Sequence, residues 1–328
     1  MRIRRIVLVL LVATLDAAAS AGAQCPTAAA DGCQKAVDLL NFMTPQLATA
    51  VVGGNPTLGQ GGALGGFGHF SIDIRGSVVN GQFPQLDNVG LSLSGAQRSA
   101  FTSKQQYIPF ASIDAGVGLW RGVSLGVTHV GGIDALVTMT YAPSWSSSGT
   151  SGQTSVTAPG GNAKFGYGVR IGVLEESVIT PGVSFAWVQR DLPTLSATGT
   201  VLASGANPGG TVALNDFTVN TSAWRITAAK SLVAFGFSLG FGQDKYDASS
   251  SLTATVATTG NPTGTQNVSF STNRMNYFVG AYVNLLLFKL EAEYGLVKGR
   301  TESAPFNSFG SDPAASRNYL TLGLRFGR

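Results

Sequence analysis

The stretch from Val233 to Asp244, VAFGFSLGFGQD, alternates strictly between large apolar residues and small ones. The large residues are Val233, Phe235, Phe237, Leu239 and Phe241. The residues between them are alanine, glycine or serine, and no charge appears before Asp244. A period of two predicts a β-strand whose two faces meet different surroundings. A half-buried strand of a soluble protein would carry charged side chains on its second face, and this one does not.

The same alternation recurs in ten segments after residue 66. The predicted strands lie at 68–78, 107–120, 123–141, 164–173, 179–190, 217–230, 233–244, 270–285, 288–300 and 317–328. A phase slip near Ser222 predicts a bulge in the sixth strand. The connections alternate between short ones and long ones rich in Gly, Ser, Thr and Asn. The predicted long loops are 84–106, 144–163, 191–216, 245–269 and 301–317.

Composition separates the two architectures that could hold ten such strands. Charged residues make up 12% of the chain, about half the usual share, and the mean hydropathy is +0.20. A soluble β-sandwich, the alternative, would present many charges to water, whereas the second face here is mostly Gly, Ser and Thr. In lipid, closing the sheet removes edges that would leave backbone groups unpaired. We therefore predict an all-β fold over 67–328: an antiparallel transmembrane β-barrel of about ten strands (range about 8–12), with its short turns in the periplasm.

The first residues resemble an export signal. MRIRR is a positive segment, an apolar stretch follows, and Ala21–Ala23 provides a small-x-small cleavage site, so we predict a signal peptide at 1–23. The alternative is a signal anchor. In an exported chain, Cys25 and Cys33 predict one small disulfide loop. We expect no metal site, since two cysteines without a nearby histidine do not make one, and we expect no cofactor.

Residues 34–52 are the one helical pattern, with Pro45 interrupting or kinking it, and a Gly-rich stretch continues to residue 66. We predict that 24–66 forms a disulfide loop, a helix and a Gly-rich segment. This segment would either lie in the periplasm or fold into the lumen as a plug.

Charged residues on the inward phase of the strands predict a lumen lining. The candidates are Asp73, Arg75, Asp114, Asp134, Arg170, Arg225, Arg274, Glu291, Glu293 and Arg325. One interpretation is a polar pore that selects solutes. The other, which we favour, is a salt-bridged interior that braces a narrow barrel. Inward glycines leave room inside the barrel, or they allow the sheet to curve.

Catalysis and nucleic-acid binding are not expected from this pattern. The chain has two histidines, His69 and His129, and neither stands with serine and aspartate in a recognisable catalytic set. We expect no enzyme activity and no catalytic residue. Without residues 1–23 the net charge falls to about +2 with no basic tract, so nucleic acid is not an expected partner.

The chain from residue 67 onward resembles bacterial outer-membrane β-barrel proteins as a class. The most specific part is the last strand, where Leu320, Leu322, Leu324 and Phe326 resemble the C-terminal signal read by the barrel-assembly machinery, although Gly327 and Arg328 follow. The helical, Gly-rich segment with Asn55–Pro56 resembles the N-terminal hatch of the long-chain fatty-acid transporter family, whose members are longer and have more strands. The resemblance implies location in the bacterial outer membrane, with its lipid and the assembly machinery as partners.

The expected function is passive. It is a pore or transporter for small or hydrophobic solutes, or a structural barrel. The alternative is a surface-exposed binding or adhesion barrel that acts through its long loops, and a lipid-directed enzyme ranks third. No motif identifies a substrate, and none specifies an oligomeric state.

Overall fold

A computed structural model describes residues 25–85, 89–149, 152–201, 203, 208–258, 260–300 and 304–327. The predicted signal peptide lies outside these ranges. The first described element is helix α1 (Thr27–Val52), which continues through Pro45. No helix in these ranges is both long and apolar enough to cross a membrane.

Seventeen strands follow α1 in the described chain. They are β1 (Phe70–Pro84), β2 (Ala100–Phe101), β3 (Ser103–Trp120), β4 (Val123–Ser124), β5 (His129–Val130), β6 (Gly132–Tyr141), β7 (Trp145–Gly149), β8 (Gly152–Thr157), β9 (Ala163–Leu174), β10 (Gly182–Asp191), β11 (Leu195–Val201), β12 (Gly210–Leu232), β13 (Phe235–Val256), β14 (Thr263–Leu285), β15 (Phe288–Val297), β16 (Ser308–Phe309) and β17 (Arg317–Gly327).

Ten of these strands form one closed antiparallel ring. Strands β1, β3, β6, β9, β10, β12, β13, β14, β15 and β17 pair in chain order. The ring closes where β17 pairs with β1, with Gly327 opposite Ser71. We call this ring of ten strands the wall. Because it is closed, it has no free strand edge. The predicted all-β barrel is therefore confirmed, with ten strands in its wall.

The two rims of the barrel differ. We call the rim that holds Phe70 and Gly327, the two ends of the wall, the turn end, and the opposite rim the loop end. At the turn end, Val233 and Ala234 join β12 to β13, and Leu286 and Leu287 join β14 to β15. Val233, predicted to lie in a strand, has a φ of 57° and belongs to this turn.

Two predictions within the wall were wrong. Residues 123–141 are not one strand, because β4 and β5 fold into a small hairpin at the turn end before β6 begins. Gly126, between them, has a φ of +73°, which glycine adopts without the strain of a Cβ. The irregularity in β12 lies between Asn215 and Thr218, not near Ser222.

Several predicted long loops are partly strands. Strand β13 continues to Val256 and β14 begins at Thr263, so most of the predicted loop 245–269 extends the wall. Strands β11, β8 and β7 add side by side to the loop-end part of β12. We call β7, β8, β11 and the loop-end parts of β12–β14 the turret. Its Thr- and Val-rich segments suit extended backbone, although their composition resembles that of a loop.

The outer surface changes character along the wall. Near the turn end, β13 exposes Phe235, Phe237, Leu239 and Phe241, each 41–61% exposed. Corresponding apolar side chains are exposed on the other wall strands, among them Ile72, Ile74, Val117, Phe165, Ile171, Val279, Leu290 and Leu322. These residues form a belt around the barrel. In the turret, the same phase of β13 presents polar residues such as Lys245 and Ser249.

Candidate functional site: the lumen and its plug

Residues 25–66, which we call the plug, run through the barrel from the loop end to the turn end. Cys25 lies against Gly264, beside the hairpin of β13 and β14, and Gly66 lies against Arg121 at the opposite rim. Between them the chain is almost continuously buried. The lumen of the barrel is therefore occupied by the protein's own N-terminal segment.

The loop-end half of the plug is a helix in an apolar environment. Leu40, Val51 and Val52 of α1 form one buried cluster with wall residues of the turret, including Tyr246 and Leu252. Both of these wall side chains are fully buried. Burial of apolar surface holds this half in place.

Side chains of α1 anchor the helix to the outer loops. The Asp31 carboxylate accepts hydrogen bonds from the main-chain N–H groups of Ser92 (2.7 Å) and Gln97 (2.9 Å). Asp38 accepts two from Asn307, one from its main chain (2.7 Å) and one from its amide Nδ2 (2.8 Å). The predicted disulfide between Cys25 and Cys33 is present. These contacts depend on the identity of the helix residues.

The turn-end half of the plug is non-helical, with a turn at residues 56–59, and is held mainly through its main chain. Arg190 Nη1 donates to the carbonyl oxygens of Val52 (3.2 Å) and Gly54 (3.1 Å). Arg75 Nη1 donates to the carbonyl oxygen of Gly53 (3.0 Å). The last turn of α1 contains no basic residue, so arginines of the wall complement the negative end of its dipole.

The same arrangement continues towards the turn end. Arg325 Nη1 donates to the carbonyl oxygen of Leu58 (2.8 Å).

Wall carboxylates bind the N–H groups of the same segment. Glu293 accepts from the N–H of Asn55 (3.2 Å), Glu175 from that of Ala63 (2.6 Å), and Asp134 from that of Leu64 (3.1 Å). Glu175 follows β9 at the turn end, outside the strands that cross the membrane. Burial raises the pKa of its carboxyl group, and the hydrogen bond from Ala63 opposes that shift.

All ten side chains predicted to line the lumen lie inside the wall and are buried, none more than 8% exposed. Several of them form ion pairs. Arg75 Nε lies 2.5 Å from Asp114 Oδ2, Arg170 Nη2 lies 2.7 Å from Asp134 Oδ2, and Arg325 Nη2 lies 3.2 Å from Glu291 Oε1.

The remaining four predicted residues take other contacts. Asp73 is 3.9 Å from Arg325, Arg225 pairs with Asp244, and Arg274 reaches the carbonyl oxygen of Ala315 (3.4 Å). Glu293 accepts the Tyr319 hydroxyl (3.0 Å) besides the plug. The lumen charges thus brace the wall and hold the plug at the same time.

Sequence reasoning missed two charged wall residues that hold the plug, Arg190 and Glu175. Arg190 continues the inward phase of β10, opposite Phe185 and Trp187, so strict alternation could have identified it. Glu175 follows the last residue of β9, where no alternation remains to place its side chain. Its role depends on the path of the plug.

The inward glycines do not leave open space. A Cβ added to Gly236 would collide with the Tyr282 ring, and one added to Gly240 would collide with the Phe278 ring. Inward aromatic rings therefore lie over glycines of neighbouring strands, an arrangement that compensates for the missing side chains.

Two recesses flank the plug. A cavity of about 720 Å³ at the loop end is lined by α1, by Ser269–Ser271 of β14 and by residues 304–313. A cavity of about 410 Å³ at the turn end is lined by Gly59–Leu64, Glu175 and Lys289. The plug separates them.

The two histidines lie near the turn end. His69 is an exposed residue just before β1, and His129 belongs to the β4–β5 hairpin. Neither imidazole hydrogen-bonds to another residue within the described ranges.

The outward side chains of β17 belong to the belt. Leu320, Leu322, Leu324 and Phe326 are 39–55% exposed. The Phe326 ring lies 6.0 Å from that of Phe70 and 5.7 Å from that of Phe288, measured between centroids. A role for these residues in barrel assembly stays a prediction.

No protein-family model matches the chain, and no curated protein does. Similar solved structures include the attachment invasion locus protein Ail of Yersinia pestis, 9% identical, with a TM-score of 0.30 over 79% of this chain and 99% of that one. The toluene transporter TodX of Pseudomonas putida is 11% identical, with a TM-score of 0.33 over 82% of this chain and 96% of that one. The translocator domain of the autotransporter NalP from Neisseria meningitidis is 8% identical, with a TM-score of 0.32 over 92% and 99%. The closed wall and its apolar belt are those of an outer-membrane β-barrel, and the protein is located in the bacterial outer membrane.

Proposed function

We propose that the protein is a gated passage for small polar solutes, closed by its plug. The observation that supports this most is the turn-end half of the plug, which fills the lumen between two recesses and is held largely through main-chain groups. The role is passive, with no catalytic step.

The contacts of this segment suit reversible opening. The wall groups that bind it are arginine and carboxylate side chains, and water can hydrate both when the segment leaves. Their hydrogen bonds with the plug are therefore exchanged for hydrogen bonds with water, and the net cost is far below the gross energy of the bonds. A lumen lined with these charges favours polar solutes over apolar ones.

The test is conductance of the full-length chain in planar bilayers. Gly61 lies against the wall, where an added Cβ would come within 2.6 Å of the Ala229 main-chain nitrogen. Gly61→Val should therefore displace the turn-end half of the plug and raise the conductance above that of the wild type. The matched control is Gly199→Val in β11, where the nearest atom to an added Cβ is 4.0 Å away.

If Gly61→Val folds, as shown by heat-modifiable gel mobility, and conducts no better than the wild type, the plug is not a gate. Conductance that rises equally in Gly199→Val would mean that the substitution acts by general loosening of the barrel.

A surface-binding role is the second candidate, because the turret extends the wall beyond the belt. Binding of purified protein to host-cell or matrix surfaces, lost when β7 and β8 are replaced by a short turn, would favour it. In either role, outer-membrane lipid covers the belt, and the barrel-assembly machinery inserts the chain.

A further inference from the structure

We infer that the lumen is a binding site for glycine-rich peptides, a substrate class that deepens the proposed function and rests on it. The segment that occupies the turn-end part of the lumen is itself a glycine-rich, non-helical peptide, residues 53–64. Its contacts show which chemical groups the wall recognises.

The sign of each wall charge matches the main-chain group that it meets. In their contacts with the plug, arginines 75, 190 and 325 donate only to carbonyl oxygens of residues 52–58, apart from one contact of Arg325 with the Gln60 side chain. Glu293, Glu175 and Asp134 accept from N–H groups in residues 55–64. Every peptide carries both kinds of group, whatever its side chains. Recognition of this kind is therefore largely independent of sequence.

The wall also limits the size of the residues that fit. Besides Gly61, Gly59 and Gly62 approach wall side chains closely. An added Cβ on Gly59 would lie 2.8 Å from Glu291 Oε1, and one on Gly62 would lie 2.9 Å from Glu175 Cδ. A peptide that binds here needs glycine at these points, and larger side chains fit only elsewhere along it, as Leu58 does.

Arg190 is the residue best suited to a test. It is 3% exposed and forms no ion pair with any residue of the described ranges. Its Nε has no hydrogen-bond partner there either, and the same is true of Arg75 Nη2. Replacing Arg190 by glutamine therefore leaves no described carboxylate without its cation, while it removes two hydrogen bonds to the plug, at Val52 and Gly54.

The first measurement is current block in the Gly61→Val variant of the full chain. A 13-residue peptide with the sequence of residues 52–64 should block the current for roughly tenfold longer than a polyethylene glycol of equal length, which has no amide groups. Adding Arg190→Gln should shorten the peptide block by about tenfold, because charge-assisted hydrogen bonds are lost. Arg190→Lys should restore part of it, and Lys245→Gln, on the outside of the turret, should leave it unchanged.

Peptide blocks no longer than those of polyethylene glycol, or blocks unaffected by Arg190→Gln, would overturn the inference while the gated passage stands. If Gly61→Val does not conduct, the proposed function fails, and a second measurement still tests peptide binding.

That measurement uses a protease site in the exposed link 67–69 of the full chain, where Phe67 is 92% exposed. After cleavage no covalent bond joins the plug to the wall, because its disulfide joins two plug residues. A labelled peptide of residues 50–66 should then exchange into the barrel. The Arg190→Gln barrel should bind it about tenfold more weakly. Equal binding by the two barrels would overturn the inference.

Discussion

The loop-end and turn-end halves of the molecule use the same strands with opposite polarity. In β13, Phe235–Phe241 presents its large apolar side chains outward, whereas Tyr246, Leu252 and Val256 point inward and are buried. The plug changes with the wall. It is a helix held by its side chains where the lumen is apolar, and a non-helical segment held by its main chain where the lumen is charged.

The difference shows that solvent decides which face of a strand is apolar. Where lipid surrounds the wall, the apolar face points outward and the lumen takes the charges. Where water surrounds the turret, the apolar face points inward and needs an apolar partner, which α1 supplies. The loop-end half is therefore expected to be the fixed part of the plug, and the turn-end half the mobile part.

The largest expected effect comes from placing one charge on each half of the outer surface. Leu239→Arg puts a charge in the belt and should lower the free energy of unfolding by about 2–4 kcal/mol, the cost of an arginine near the bilayer midplane. Ser249→Arg, on the same phase of β13 but in the turret, should change it by less than about 0.5 kcal/mol. Equilibrium unfolding in lipid vesicles measures both. Equal losses of stability in the two variants would mean that the apolar belt extends along β13 as far as Ser249.

A smaller effect should separate the two halves of the plug. Asp38→Ala leaves the Asn307 donors unsatisfied and should lower the free energy of opening of α1 by about 1–3 kcal/mol. Thr57→Ala, in the turn-end half, removes only a side-chain hydrogen bond of 3.3 Å to Asn55 and should cost less than about 1 kcal/mol. Hydrogen exchange of the plug amides gives both values. A larger loss for Thr57→Ala would contradict main-chain recognition.

The smallest effect is a pH dependence confined to the turn end. Burial raises the pKa of Glu175 above its unfolded value, so the folded state binds more protons between the two values. This contribution to stability is present below the unfolded pKa of about 4.3 and declines as the pH rises towards the folded pKa. Melting temperatures between pH 4 and 7 should fall more steeply for the wild type than for Glu175→Gln. Parallel curves would show that Glu175 does not titrate in this range.

The sequence was sufficient to predict the barrel, because period-two alternation survives wherever one face meets lipid. The prediction of a loop at 245–256 was wrong for a physical reason. Tyr246, Ala248, Leu252 and Val256 still alternate, but on the opposite phase and among serines and threonines, so the segment resembled a loop. The prediction of one strand over 123–141 was wrong because Val123, Leu125 and Val127 continue the period-two alternation through a turn at Gly126.

The candidate site was predictable only in part. Alternation assigns Asp73, Arg75 and Glu293 to the inward face, because the residues next to them in the strand are on the apolar, outward face. It does not say that Arg75 meets the carbonyl of Gly53, because that contact joins residues from different elements and depends on the path of the plug. Main-chain groups have no signature in a sequence, so a site built to bind them is found only in the structure.

The changeover in β13 falls between Phe241 and Lys245, and it has a consequence for how the barrel sits in the bilayer. If the barrel sank by two or three residues, Lys245 and Asp247 would enter hydrocarbon; if it rose, the phenylalanines near the turret would enter water. Both displacements are unfavourable, so the inverted pattern fixes how deeply the barrel sits in the bilayer. The plug follows the same division, because its helix packs against the apolar zone of the wall and its Gly-rich segment binds the charged zone.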